Sequence, residues 1–182
     1  MPLKEKAQLM TAAQIERTLQ RLAREIVERT KGTDNLVLIG IRRRGVPLAE
    51  RLSQCIRGFE KRPVPVGFLD ITLYRDDLSM VSTQPVIYKT EINFPITGKC
   101  VVLVDDVLYT GRTVRAAIDA LLDFGRPKLI KLCTLIDRGW RELPIAANYV
   151  GKTVQTSENE IVEVQLSEVD HGDGAWLMEI LP

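Results

Sequence analysis

A chain of 182 residues, 45% hydrophobic and 27% charged, is sized for one domain that buries about two-thirds of the surface its unfolded form would expose. Its formal net charge of +1 excludes a chain-wide pull toward nucleic acid, so an RNA site must be a local basic patch. The sequence has no run of about 18 apolar residues and no signal-peptide pattern, which excludes a membrane span and points to the cytoplasm.

Taken in order, Thr11 with Gln14 has the form of a capping box, and Ile15, Leu19, Leu22, Ala23 and Ile26 make one helical stripe. The first element is thus expected to be an amphipathic helix ending near Lys31 and Gly32. Arg17, Arg21 and Arg24 share its outer face, either as a solvated surface or as a row of guanidinium groups for RNA phosphates. Residues 36–41 form a buried strand pattern, and Arg42, Arg43, Arg44 and Gly45 lead from it into a helix through about Ile56. Three arginines at a strand's carboxyl end suit a phosphate group. Residues 64–72 read as another strand, after which the pattern fades from Tyr74 to Pro95. So long an irregular span is a functional lid or a solvated excursion, and Arg75, Asp76 and Asp77 mark its start.

The stretch VVLVDDVLYTGRT at 101–113 organises the rest. An apolar, β-branched run at 100–104 predicts a strand buried on both faces, closed by Asp105 and Asp106. Val114, Ala117, Ile118, Leu121 and Leu122 then predict a helix. Between them, Gly111 permits unusual backbone angles, and Thr110 and Thr113 offer hydroxyls beside free helix amides, which together make a phosphate cradle. Two adjacent carboxylates at a strand's carboxyl end suit diol hydroxyls or a Mg²⁺-organised site. A ligand with a phosphate at one end and a diol in the middle is a ribose 5-phosphate.

Further on, Gly125, Arg126 and Pro127 stop that helix, and 128–136 predicts a parallel strand ending on DRGWR at 137–141. Trp140 there is either a stacking platform or packing. From Tyr149 the pattern becomes short and alternating, with Val162, Val164 and Leu166 on one face and 176–180 as partner across Gly172 and Gly174, which predicts antiparallel strands. His171, the lone histidine, reads as a loop residue. Cys55, Cys100 and Cys133 are too few and too far apart to suggest a disulfide or a metal cluster. With no repeat and no linker, residues 1–182 are expected to form a single α/β domain.

The 101–113 string resembles the phosphoribosyl-pyrophosphate (PRPP) motif of the type I phosphoribosyltransferases. With LIGIRRRG at 38–45, DITLYRDD at 70–77, DRGWRELP at 137–144 and YVGK at 149–152, it is similar to the branch of that family that couples uracil phosphoribosyltransferase activity to pyrimidine operon regulation. The resemblance implies a parallel sheet flanked by helices, and a small hood of antiparallel strands at about 137–182 with the N-terminal helix alongside. It implies formation of UMP and pyrophosphate from uracil and PRPP, with Mg²⁺ bound through PRPP and no direct protein ligand to the metal. It also implies uridine-nucleotide-responsive (UMP or UTP) binding of pyrimidine operon leader RNA for transcription attenuation, in a homodimer or higher homo-oligomer.

The same resemblance assigns Asp105, Asp106 and Arg75 to catalysis. It assigns Asp105, Asp106, Val107, Leu108, Tyr109, Thr110, Gly111, Arg112 and Thr113 to ribose and its phosphate, and Arg43 and Arg44 to pyrophosphate. Arg138 falls beside the nucleotide, Val162 supplies a backbone contact to the base, and Arg17, Arg21, Arg24, Arg138 and Arg141 form the RNA face. Arg43, Trp140, Ala146 and Asn148 depart from the residues common in that branch, where threonine, histidine, arginine and aspartate are usual. The rival readings are a phosphoribosyltransferase for another base and an RNA-binding regulator without catalysis.

Overall fold

Five parallel strands form the central sheet, in the order β3 (Val66–Leu69), β2 (Leu36–Ile41), β4 (Cys100–Leu108), β5 (Leu129–Asp137) and β6 (Tyr149–Thr153). The computed structural model describes residues 2–77 and 89–181. All six residues of β2 are buried, as a parallel strand covered on both faces requires. Alternate side chains go to opposite sides. Leu36 and Leu38, with Val102 and Val104 of β4, pack under α1 (Ala12–Thr30) and α2 (Gly45–Glu60). Val37, Ile39 and Ile41, with Val101 and Leu103, pack under α3 (Arg112–Leu122). Removing each of these side chains from water contributes about 1.5–3 kcal/mol.

A second sheet of three antiparallel strands, β1 (Leu3–Thr11), β8 (Gly174–Ile180) and β7 (Glu160–Gln165), joins the two ends of the chain. Val164, Leu166 and Ala175 anchor it to the α1–α2 side of the core.

Several expectations hold. Both halves of the capping box form, the Thr11 hydroxyl accepting from the Gln14 amide and the Gln14 side chain from the Thr11 amide. Lys31, at φ 57°, caps the C-terminus of α1. Others need correction. The first element is a strand, β1, since pairing with β8 supplies the order that its exposed, non-alternating sequence does not signal. β6 is parallel to β5 in the main sheet, where an antiparallel strand was expected. β3 covers only 66–69 of the expected 64–72, and a 3-10 turn occupies Thr72–Tyr74. β4 continues through the acidic pair to Leu108, because Asp105, Val107 and Leu108 still find partners on β5. Of the expected lid, residues 78–88 lie outside those described. At its far end Glu91 forms a bridge with Phe68, their amides and carbonyls paired at 2.8 Å, and Ile96 is fully buried.

The approach of α2 to the sheet depends on two glycines. A Cβ on Gly45 would lie 2.2 Å from the Val104 carbonyl oxygen, and one on Gly40 would lie 2.5 Å from the Gly45 carbonyl oxygen. Only hydrogen fits at either position. The arginine turn is thereby pressed against the end of β4. The three cysteines are free thiols, and burial pushes that of Cys133 up to about 12.

Candidate active site

The carboxyl ends of β2 and β4 open into a cavity of about 910 Å³, placed where open α/β sheets bind ligands. Its floor is the acidic pair. Asp105 is 8% exposed, and its carboxylate accepts from the Asp106 amide at 2.9 Å. The Asp106 carboxylate accepts from the Val107 amide at 2.9 Å. Burial and, behind it, the neighbouring charge of Asp106 push the Asp105 carboxyl well above the usual carboxylate range. A carboxyl whose charge is disfavoured in this way suits a ligand that brings positive charge.

One wall is the turn into α3. Gly111 is the N-cap, at φ 93°, with no side chain of its own to cap the helix, and the Thr110 hydroxyl accepts from the Arg112 amide at 3.3 Å. Thr110, Arg112 and Thr113 line the cavity there, where first-turn amides and the helix dipole favour an anion. The Arg112 guanidinium donates at 2.5 Å to Asp76 and at 2.6 Å to Glu142, joining the lid stem to the loop after β5.

The opposite wall is the arginine turn, where the Arg42–Arg43 peptide is cis. Arg43 and Arg44 both line the cavity. Arg44 donates through Nε and Nη2 to the two oxygens of Asp170, each at 2.9 Å. Arg75 also lines the cavity, gripped by Asp77 at 2.8 and 2.6 Å.

These lining residues therefore converge as the sequence suggested, together with Val107, whereas others are placed apart. Leu108 is buried in the core under α3. Tyr109 supports the Arg138 guanidinium, which stands 4.0 Å from its ring centroid. Arg138 is only 5% exposed, donates at 2.5 Å to the Glu160 carbonyl, and has its pKa lowered by burial. It borders a second cavity of about 520 Å³ with Trp140 and Thr156. The Trp140 indole is 47% exposed and tethered by Nε1 to the Thr156 carbonyl at 2.7 Å, so it forms a rim rather than core packing. Val162 is half-buried, opposite Leu177, and packs against the core.

The residues expected on an RNA face divide. Arg17 and Arg21 border a depression of about 340 Å³ with Gln14 and Lys152. Arg21 also reaches the Gly151 carbonyl at 2.7 Å, and Arg24 lies over the Phe59 ring. Arg141 is turned inward. It grips the Asp137 carboxylate at 2.6 and 2.5 Å and donates to the Tyr109 and Ile145 carbonyls, an arrangement that satisfies a largely desolvated cation. Asn148, one of the departures, has its side-chain oxygen on the Leu132 amide at 2.9 Å.

Sequence reasoning missed the 166–173 turn. Besides Asp170 on Arg44, it places Glu168 and Asp173 on Arg51 of α2, which donates to each at 2.6 Å. The signal was the run of acids Glu168, Asp170 and Asp173, whose partners are more than a hundred residues distant.

Residues 6–169 match the phosphoribosyl transferase domain family. A Pelotomaculum thermopropionicum protein named bifunctional protein PyrR is 62% identical over 176 residues, 97% of each chain. A Thermus aquaticus protein of the same name is 58% identical over 174 residues, 96% of each chain. Among solved structures, a hypoxanthine phosphoribosyltransferase from Trypanosoma cruzi superimposes with a TM-score of 0.73 at 23% identity, covering 98% of this chain and 96% of that one. A hypoxanthine-guanine phosphoribosyltransferase from Bacillus anthracis does so with a TM-score of 0.69 at 23% identity, covering 98% and 99%. At such identity the likeness concerns the fold alone.

Proposed function

Because the chain belongs to the phosphoribosyl transferase family, and within it to the group named bifunctional protein PyrR, we propose that it transfers phosphoribose from PRPP to uracil, forming UMP and pyrophosphate. The observation that carries this reading is one cavity with a buried acidic pair on its floor, the N-terminus of α3 on one wall and arginines on the other.

In this reading the 109–113 turn holds the 5-phosphate, and Asp105 and Asp106 accept hydrogen bonds from the ribose hydroxyls. Arg43, Arg44 and Arg75 meet the pyrophosphate. The C1′–O bond breaks with its electron pair going to pyrophosphate, while the N1 lone pair of uracil forms the new bond and N1 gives up its proton. Positive charge develops on the ribose above Asp105 and Asp106. The penalty for burying a carboxylate in the empty site is then offset in the transition state, which is differential stabilisation of the kind that accelerates reactions. β1, β7 and β8 complete a hood, with Arg138 and Val162 toward the base, as part of one domain spanning 1–182.

Mg²⁺ fits this donor set. Asp70, Asp105 and Asp106 supply hard oxygens at the cavity, beside the arginines that would meet the phosphates. That combination suits an ion that arrives on substrate phosphates and keeps much of its water. Bound there, it would neutralise charge on the leaving pyrophosphate.

The second role is regulatory: binding of pyrimidine operon leader RNA, stimulated by UMP or UTP, through the face carrying Arg17 and Arg21. No helix among the described residues is long and apolar enough to cross a membrane, and the chain acts in the cytoplasm. Exposed Leu122, Phe124 and Leu129 fit a subunit contact in a homodimer or larger assembly. Purified protein with PRPP, Mg²⁺ and labelled uracil tests the enzymatic reading. UMP formation that stops on chelation supports it, and uracil left unchanged refutes it.

A further inference from the structure

The turn at 166–173 does more than close the hood. Its carboxylates reach across to α2 at two places, Asp170 to Arg44 at the mouth of the cavity and Asp173 with Glu168 to Arg51 two turns further along. The two clasps differ in what they touch. Arg44 lines the large cavity, whereas Arg51 does not.

Asp170 is itself fixed. Its Oδ2 accepts from the Leu166 amide at 2.9 Å, and its own amide donates to the Leu166 carbonyl at 2.7 Å. The carboxylate is therefore held by the backbone before it meets an arginine. Its two oxygens take Nε and Nη2 of Arg44, a fork-to-fork geometry that fixes the guanidinium plane as well as its position. Nη1 makes no hydrogen bond among the described residues, which leaves its donors unused on a residue that lines the cavity. Pairing also holds the Asp170 carboxyl below its ordinary range and the Arg44 guanidinium above its own, so both stay charged.

We propose that Asp170 is a positioning residue for the leaving pyrophosphate: by gripping one edge of Arg44 from the hood, it presents Nη1 to a pyrophosphate oxygen and ties the arginine turn to the sheet that closes over the base. The inference rests on the phosphoribosyl-transfer reading. An unpaired Arg44 keeps its charge but has to give up rotamer freedom each time pyrophosphate binds, and that ordering cost appears as weaker binding. The Arg51 clasp provides a control, because it joins the same turn to the same helix without facing the cavity.

The test uses the full-length protein, with Mg²⁺-pyrophosphate binding followed calorimetrically and steady-state kinetics measured beside it. Asp170→Asn should raise the pyrophosphate Kd and the KM for PRPP by about tenfold, the scale of one weakened charge-assisted hydrogen bond. The KM for the base should stay put. Asp170→Glu, which keeps the charge, should recover part of the loss. Asp173→Asn should lower the melting temperature and leave the pyrophosphate Kd unchanged. Equal Kd values for wild type and Asp170→Asn, both folded by circular dichroism, would overturn the proposal, as would an Asp173→Asn defect in Kd as large as that of Asp170→Asn. A wild-type protein that neither binds pyrophosphate nor consumes PRPP would instead sink the transfer reading and take this inference with it.

Discussion

Asp105→Asn should make the ligand-free protein more stable while damaging its chemistry. The Asp105 carboxylate is 8% exposed, sits beside the Asp106 carboxylate and receives the Asp106 amide at 2.9 Å. Burial first, and the Asp106 charge second, raise its pKa well above the ordinary value. In the unfolded chain that ordinary value returns. Between the two values the folded protein holds a proton that the unfolded chain does not, so stability falls as pH rises through this window. Above the raised value the whole cost is present. Asparagine has the same shape, still accepts from the Asp106 amide and carries no charge. The expected gain is about 1–2 kcal/mol at pH 7, or about 2–8 °C in melting temperature for a chain of this size. Below the ordinary carboxylate value the gain should vanish. Scanning calorimetry of both proteins from pH 4 to 8 reads this directly, and activity should fall in the same variant. Combined with Asp106→Asn, the loss should reach at least about a hundredfold, since two charged hydrogen bonds at ~1.5–3 kcal/mol each are removed. A variant that melts below wild type at pH 7, or a difference independent of pH, would refute the account of the pair.

Arg141→Ala should destabilise by about 3 kcal/mol, measured as a lower urea midpoint, because it strands the partly buried Asp137 carboxylate. Lysine should not rescue it, lacking the planar fork that reaches both Asp137 oxygens and the Tyr109 carbonyl. Lys6 and the Ser157 amide hold the Glu160 carboxyl down to about 2, so its contribution is present above the ordinary value of 4.5 and is lost as pH falls from there through about 2. Glu160→Gln should accordingly flatten that part of the acid-unfolding curve. In gel shifts with a pyrimidine operon leader, binding should rise with UMP, and Arg17→Ala and Arg21→Ala should each reduce the salt slope by about one. With Trp140, Ala146 and Asn148 departing from the usual residues of the group, that binding should be weak or altered in specificity, and no binding at low salt would leave the chain an enzyme only.

Much of the core was legible because its signals are local. β2, β4 and β5 are apolar runs of the length a doubly covered strand needs, and the Thr11–Gln14 box fixes where α1 begins. β1 was not legible, since of its nine residues only Met10 is buried and its order comes from β8 at the other end of the chain. The alternation at β6 announced a half-covered strand but could not reveal the direction of its partner. In the site, the acidic pair and the arginine turn are contiguous in sequence and so were visible. The Arg44–Asp170 clasp spans 126 positions, and nothing in either local stretch names the other. The inward commitment of Arg141 was hidden for the same reason: four of its acceptors are backbone carbonyls, to which any residue type could belong.

The central claim is that the acidic pair and arginine rim serve transfer of phosphoribose to a pyrimidine, on a fold shared with purine enzymes. It is tested most directly by kcat/KM with PRPP for uracil, hypoxanthine and guanine, measured on one preparation. We expect uracil to be preferred by at least about two orders of magnitude, the discrimination available when polar groups in a hood match one base and are left unpaired by another. A preference for hypoxanthine or guanine, or no turnover of any base, would contradict it.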